Sequence, residues 1–270
     1  MDMRDIADRG LVLLGCGKMG SALLEGWLKT GLPAAAVHVI EPNPSDWLQA
    51  TGVHLNTPLP PAPAMALLAV KPQMMGAALP GLQALGGGGT VFVSIAAGTS
   101  LKTIEDTLGA GTPVVRVMPN TPAAVGRGIS ALIGNDAVSA PALALAEQLM
   151  AAVGETVRLQ DESQMDAVTA VSGSGPAYVF HLIEALAAAG VAQGLPTDMA
   201  MRLARATVCG AGELAHQSAE SAAQLRINVT SPGGTTAAAL AVLMNETDGF
   251  PPLLARAVQA AADRSRELGQ

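Results

Sequence analysis

The chain has 270 residues, half of them hydrophobic, which is enough for one large domain or two ordinary ones around a sizeable core. Lys and Arg number 15 against 22 Asp and Glu, a formal charge of −7, and only 2% of residues are aromatic. The phosphate-neutralising charge and base-stacking surface of a typical nucleic-acid binder are therefore missing, and no nucleic-acid partner is expected.

At the start of the chain Asp2, Arg4, Asp5, Asp8 and Arg9 are the wrong chemistry for a basic secretory leader, so a cytoplasmic location is expected. The apolar run Leu11–Leu14 then enters Gly15-Cys16-Gly17-Lys18-Met19-Gly20, and Ala22, Leu23, Trp27 and Leu28 recur at helical spacing up to Gly31. That pattern predicts a strand, a tight glycine turn and a helix. Further strands are predicted over 37–40, 65–70, 90–95 and 113–118 with helices between them, which implies a parallel sheet wound by right-handed crossovers. Two more short strands are expected at 129–133 and 156–159, flanking a helix near 141–153.

After Asp161 the β-branched runs stop and Ala, Leu and Met dominate, so the domain boundary is expected there. The organisation that follows is α/β: an N-terminal Rossmann-type doubly wound sheet over 1–161 and an all-α dimerisation domain over 162–270. The segment 177–192 carries only His181, Glu184 and the Tyr178 hydroxyl as polar side-chain groups, so its helix is apolar around almost its whole circumference. A partner subunit is its natural cover, although other helices of one chain could bury it. A mean hydropathy of +0.37 raises the question of a membrane span. Every long apolar stretch is interrupted by Gly, Pro or a charge before about 18 residues, and no span is expected. Cys16 and Cys209 make no disulfide framework, and His38, His54, His181 and His216 hold no pair at helix-ligand spacing, so no metal and a reducing compartment are expected.

The G-x-G-x-x-G pattern gains weight from its context between a strand and a helix. Gly15 permits the sharp turn, Gly17 lets backbone approach a pyrophosphate, and Gly20 allows close packing of helix on strand. Cys16 is a small filler of this loop and not a nucleophile. Glu41 ends the second strand where a carboxylate can accept hydrogen bonds from an adenosine ribose and would repel a 2′-phosphate; the bland alternative is a solvated residue entering Glu41-Pro42-Asn43-Pro44. Ala69, Val70, Lys71 and Pro72 end the third strand, at the edge where open α/β sheets bind ligands, so Lys71 faces the cofactor or is merely solvated. Met118-Pro119-Asn120-Thr121-Pro122 forms a proline-fixed loop on the same edge, where Asn120 can both donate and accept.

In the second half, Val171-Ser172-Gly173-Ser174-Gly175-Pro176-Ala177-Tyr178 leads into the apolar helix with residues suited to close backbone contact. In Asn228-Val229-Thr230-Ser231-Pro232-Gly233-Gly234-Thr235-Thr236, Ser231 is read as an N-cap with Pro232 at N1, opening a helix whose free N–H groups could hold a small carboxylate. An ordinary capped turn is the alternative. The only lysines are Lys18, Lys29, Lys71 and Lys102, so the helical half has none to act as the acid/base of a hydroxyacid dehydrogenase.

Taken in order, G-C-G-K-M-G, A-V-K-P-Q, M-P-N-T-P, S-G-S-G-P-A-Y and V-T-S-P-G-G-T-T resemble the pyrroline-5-carboxylate reductases from Leu11 nearly to Gln270, the last two motifs being the specific ones. The resemblance implies reduction of 1-pyrroline-5-carboxylate to L-proline by hydride from NADPH or NADH. It implies a helical domain that interlocks with a second subunit, at least a homodimer and in many relatives a ring of dimers. It places the imine substrate against Ser231, Gly233, Gly234 and Thr235, with Thr236 as the hydrogen-bond partner of the ring nitrogen. It also places Leu14, Gly15, Cys16, Gly17, Lys18, Met19, Asn43, Ala69, Val70, Lys71, Pro72, Ile95, Ala96 and Ala97 on the cofactor, alongside Gly20, Glu41 and Asn120 read above. Glu41-Pro42-Asn43 departs from the neutral or basic residues that many relatives carry there. The rivals are a β-hydroxyacid dehydrogenase of similar plan and a non-catalytic dinucleotide-sensing dimer.

Overall fold

Alternation of apolar side chains along short strands builds the core of the first unit. In the computed structural model, which describes residues 2–269, eight strands form one sheet: β1 (Leu11–Leu14), β2 (Val37–Ile40), β3 (His54–Leu55), β4 (Met65–Leu68), β5 (Val91–Ser94), β6 (Val114–Met118), β7 (Gly128–Gly134) and β8 (Gly154–Arg158). Leu11, Leu13, Val37, Val39, Met65, Leu67, Val93 and Val117 enter one buried layer, while Val12, Leu14, Ala66, Leu68 and Phe92 enter the opposite one. A sheet buried on both faces needs such unbroken apolar strands.

The helices are α1 (Met3–Arg9), α2 (Lys18–Lys29), α3 (Asp46–Gln49), α4 (Pro72–Ala78), α5 (Leu101–Leu108), α6 (Ala140–Ala151), α7 (Met165–Val168), α8 (Gly175–Ala192), α9 (Thr197–Gln217), α10 (Ala222–Asn228), α11 (Thr235–Leu243) and α12 (Phe250–Leu268). Leu23, Leu24 and Trp27 of α2 and Leu145, Leu149 and Met150 of α6 cover the first layer; Met75 of α4 and Leu101, Ile104 and Leu108 of α5 cover the second. The Trp27 indole N–H donates to the Leu149 carbonyl at 2.9 Å, so the largest buried side chain leaves no polar atom unpaired.

Strand order is β3-β2-β1-β4-β5-β6-β7-β8. The pairs from β3 to β6 are parallel, as is β7–β8, but β6 and β7 run antiparallel. This corrects the expectation of parallel pairing throughout. The link from Met118 to Gly128 holds only a 3₁₀ turn (Thr121–Val125) and is too short for a crossover helix.

Packing divides the chain into two units, one running to Gly173 and taking in the last residues from Ala262, the other Ser174–Ala261. Residues between Asp161 and Gly173 thus pack with the sheet. Glu162 accepts from Arg116 at 2.7 Å and from the Leu101 N–H at 2.9 Å, and Ser265 donates to Asp166 at 2.6 Å.

In the second unit α8 packs on α9. Of the α8 residues only Ala187 is buried, while Phe180, Leu182, Leu186 and Val191 are exposed. The helical run Glu162–Ala192 is long and apolar enough to cross a membrane by length and composition, contrary to the expectation that Gly, Pro or a charge interrupts every apolar stretch before that length. Pro176 falls in the first turn of α8, where a missing N–H costs nothing, and a π-helical turn (Thr169–Gly173) carries the chain through the first of the glycines.

Candidate active site

The first unit gathers the carboxyl ends of β1, β4, β5 and β6 around a cleft of about 560 Å³. Gly17, Lys18, Met19, Ala69, Val70, Lys71, Pro72, Ile95, Ala96, Ala97 and Asn120 line it. Leu14, Gly15, Cys16, Gly20, Glu41 and Asn43 are not on its wall. Met118, Pro119, Thr121 and Gly173 are, although none was singled out from sequence as a site residue. The signal for them lay in the same two motifs as Asn120 and Ser172.

The glycines divide the work of the loop. Gly15 has φ +88°, and a Cβ there would lie 2.9 Å from the Ala69 carbonyl oxygen; a Cβ on Gly20 would lie 2.6 Å from the Gly15 carbonyl oxygen. Both are therefore packing positions. Nothing lies within 4 Å of the same point on Gly17, which precedes α2 as an N-cap without a side-chain bond. The open backbone and the uncapped first turn of α2 form a cradle that fits a pyrophosphate.

Glu41 is more constrained than a ribose acceptor at the end of a strand need be. One carboxylate oxygen accepts the Cys16 N–H at 2.8 Å and the other the Asn43 N–H at 3.0 Å. Asn56, at φ +51°, holds the Glu41 backbone from both sides, donating to its carbonyl and accepting its N–H at 2.9 Å. Sequence reasoning missed Asn56, because nothing in the pattern distinguishes it from any turn asparagine. Cys16 is buried, with Sγ 3.5 Å from the Ser21 hydroxyl; burial pushes its thiol up, outweighing the Ser21 hydrogen bond, and Glu41 adds to the rise. Such a thiol is a filler.

Asn120 also turns its amide toward the protein. Its Nδ2 lies 3.3 Å from both the carbonyl and the hydroxyl oxygen of Ser172, and its Oδ1 accepts the Ile129 N–H at 2.9 Å.

The segment 231–236 belongs to the second unit. Ser231 is not the N-cap expected. The Gly234 N–H donates to the Ser231 carbonyl at 3.0 Å and Gly233 has φ +68°, so Ser231 to Gly234 close a tight turn with Pro232 and Gly233 at its centre. α11 accordingly starts at Thr235, with Gly234 as an N-cap that supplies no side-chain bond. The Gly234 N–H is spent in the turn, and the uncapped first-turn amides of α11 are the donors that remain.

Two relatives decide the family. A pyrroline-5-carboxylate reductase of Synechocystis is 44% identical over 271 residues, covering 96% of this chain and 98% of its own, and one of Pseudomonas aeruginosa is 40% identical over 266 residues, covering 96% and 97%. The chain belongs to the pyrroline-5-carboxylate reductase family.

The family model for pyrroline-5-carboxylate reductase dimerisation matches residues 162–268, and one for NADP oxidoreductase, coenzyme F420-dependent, matches 10–98. Among solved structures, a pyrroline-5-carboxylate reductase from Coxiella burnetii superposes with a TM-score of 0.91 at 33% identity, covering 97% of this chain and 99% of that one. The Plasmodium falciparum pyrroline carboxylate reductase with NADP bound has a TM-score of 0.83 at 30% identity, covering 97% and 99%.

Proposed function

We infer that this protein reduces 1-pyrroline-5-carboxylate to L-proline with hydride from NAD(P)H, the last step of proline formation. The observation that carries this reading is the full-length similarity to reductases of that name, together with a glycine cradle that accommodates a dinucleotide. The nicotinamide cofactor supplies the hydride when bound. Gly17 and the first turn of α2 hold its pyrophosphate, Glu41 faces the adenosine ribose, and the 69–72 and 95–97 segments form the floor beside it.

In the second unit, the first-turn amides of α11 receive the substrate carboxylate, and the hydroxyl of Thr236 orients the ring nitrogen. Reduction of this cyclic imine needs a hydride at the imine carbon, which becomes C5 of proline, and a proton on nitrogen. Solvent can supply that proton, so the absence of a lysine from the helical half is no obstacle, and positioning provides most of the rate. The exposed apolar side chains of α8 and the match to a dimerisation family support a homodimer, and similarity to the family supports a ring of dimers. The apolar 162–192 run is then read as an interface helix and not a membrane span, and the enzyme as cytoplasmic, with no nucleic-acid partner.

The test is saturable oxidation of NADPH or NADH on adding 1-pyrroline-5-carboxylate, with reduction of NADP+ or NAD+ by β-hydroxyacids as the control. Turnover of a hydroxyacid instead would select the rival dehydrogenase, and cofactor binding without turnover the sensing dimer.

A further inference from the structure

The two sides of β1 assign the ends of the cleft. Glu41 follows β2 on one side, so the adenosine belongs there, and the walls over β5 and β6 on the other side receive the nicotinamide. Beside the β5 wall, that second end is made by separate pieces of chain: Met118 to Thr121 at the end of β6 and the loop after it, and Gly173 at the end of the π-helical turn. Single π turns inside helical runs recur at functional sites because they displace side chains that a regular helix would place elsewhere. Here a Cβ on Gly173 would overlap the Met118 methyl group, so the Met118 side chain packs directly on the glycine.

A side-chain amide ties them by hydrogen bonds. Asn120 lies on the cleft wall, yet its amide reaches Ser172 with one end and the start of β7, through the Ile129 N–H, with the other. Its hydrogen-bonding groups are directed at the protein and not into the cleft. We propose that Asn120 is a positioning residue: by tying Ser172 and the π turn to the loop after β6, it fixes the wall against which the nicotinamide is held for hydride transfer. This rests on the reductase reading above. An ångström of slack in such a wall costs up to about a hundredfold in rate.

The test compares Asn120→Asp, Ser172→Ala and wild type. The aspartate keeps the acceptor for Ile129 but sets a carboxylate oxygen against the Ser172 carbonyl. In the cofactor-free protein, hydrogen exchange of peptides covering 169–174 should quicken in Asn120→Asp, while the peptide holding Ile129 stays protected. In the dimeric enzyme, kcat should fall roughly ten- to hundredfold, with the NADPH Kd held within about twofold, and the isotope effect with C4-deuterated NADPH should rise as hydride transfer becomes limiting. Ser172→Ala should show the same pattern more weakly, and adding it to Asn120→Ala should cost nothing further, since that variant has already lost the tie. Wild-type exchange and kcat in Asn120→Asp would overturn the proposal, as would a loss confined to NADPH affinity, which would make Asn120 a direct ligand. If Asn120→Asp does not fold, unchanged exchange and kcat in Ser172→Ala overturn it. A wild-type enzyme inert toward 1-pyrroline-5-carboxylate would refute the reductase reading, while the exchange comparison would still report on the tie.

Discussion

Replacing Glu41 with alanine should shift the enzyme toward NADPH. In the wild-type protein the carboxylate is pinned between the Cys16 and Asn43 amides, at 2.8 and 3.0 Å, and the proposed function sets it facing the adenosine ribose. A 2′-phosphate arriving about 5 Å from that charge meets a repulsion of about 0.8–1.7 kcal/mol per unit charge at effective dielectric constants of about 40–80. The substitution also frees two backbone N–H donors at the same spot, which favour a bound phosphate. Both effects have the same sign, and about 1.4 kcal/mol corresponds to a roughly tenfold rise in the ratio of kcat/KM for NADPH to that for NADH. The lost carboxylate bonds should lower Tm by several degrees, since about 1 kcal/mol shifts a chain of this size by about 2–4 °C. Steady-state kinetics of both proteins with both cofactors at one ionic strength measure the ratio. Wild type should use both cofactors. An unchanged ratio, or a shift toward NADH, would refute the argument that Glu41 faces the ribose.

Other outcomes follow from the second unit and the sheet edge. Thr236→Ala should lower kcat by about ten- to several-hundredfold through loss of one oriented hydrogen bond of about 1–3 kcal/mol, with cofactor Kd unchanged by titration. Phe180→Glu with Leu186→Glu, two exposed apolar residues of α8, should shift the mass seen by light scattering from dimer to monomer and abolish turnover; an intact dimer would remove α8 from the interface. His38 stacks on His54 with ring centroids 4.5 Å apart, and its pKa is lowered by burial first and by the His54 charge second. A depressed histidine pKa means that the unfolded chain takes up protons first, so this contribution is complete above the unfolded value near 6.5 and is lost as the pH falls below it. Thermal unfolding between pH 7.5 and 5 should therefore show a smaller decline in Tm for His38→Gln than for wild type.

The sheet was legible because its strands are apolar on both faces and the glycine loop follows the first of them directly; Leu11–Leu14 and Val37–Ile40 are strands as read. The two-residue strand His54–Leu55 carries no periodicity to detect, and the reversal at β7 is set by the length of a loop and not by strand composition. At the site, the residue types of the cleft were visible in the motifs. Their hydrogen bonds were not. Glu41, Asn56 and Asn120 each spend polar atoms on backbone groups between 9 and 52 residues away, and such pairings depend on where the fold returns the chain. Ser231 was misread because S-P-G-G serves equally as a cap or as a turn; the positive φ of Gly233 selects the turn and delays α11 to Thr235.

Hydride transfer to the imine carbon is tested most directly with C4-deuterated NADPH, 1-pyrroline-5-carboxylate and mass spectrometry of the product. The account predicts L-proline carrying a single deuterium at C5, formed in equal amount to the cofactor oxidised. Proline without the label, or cofactor oxidation with no proline formed, would contradict it.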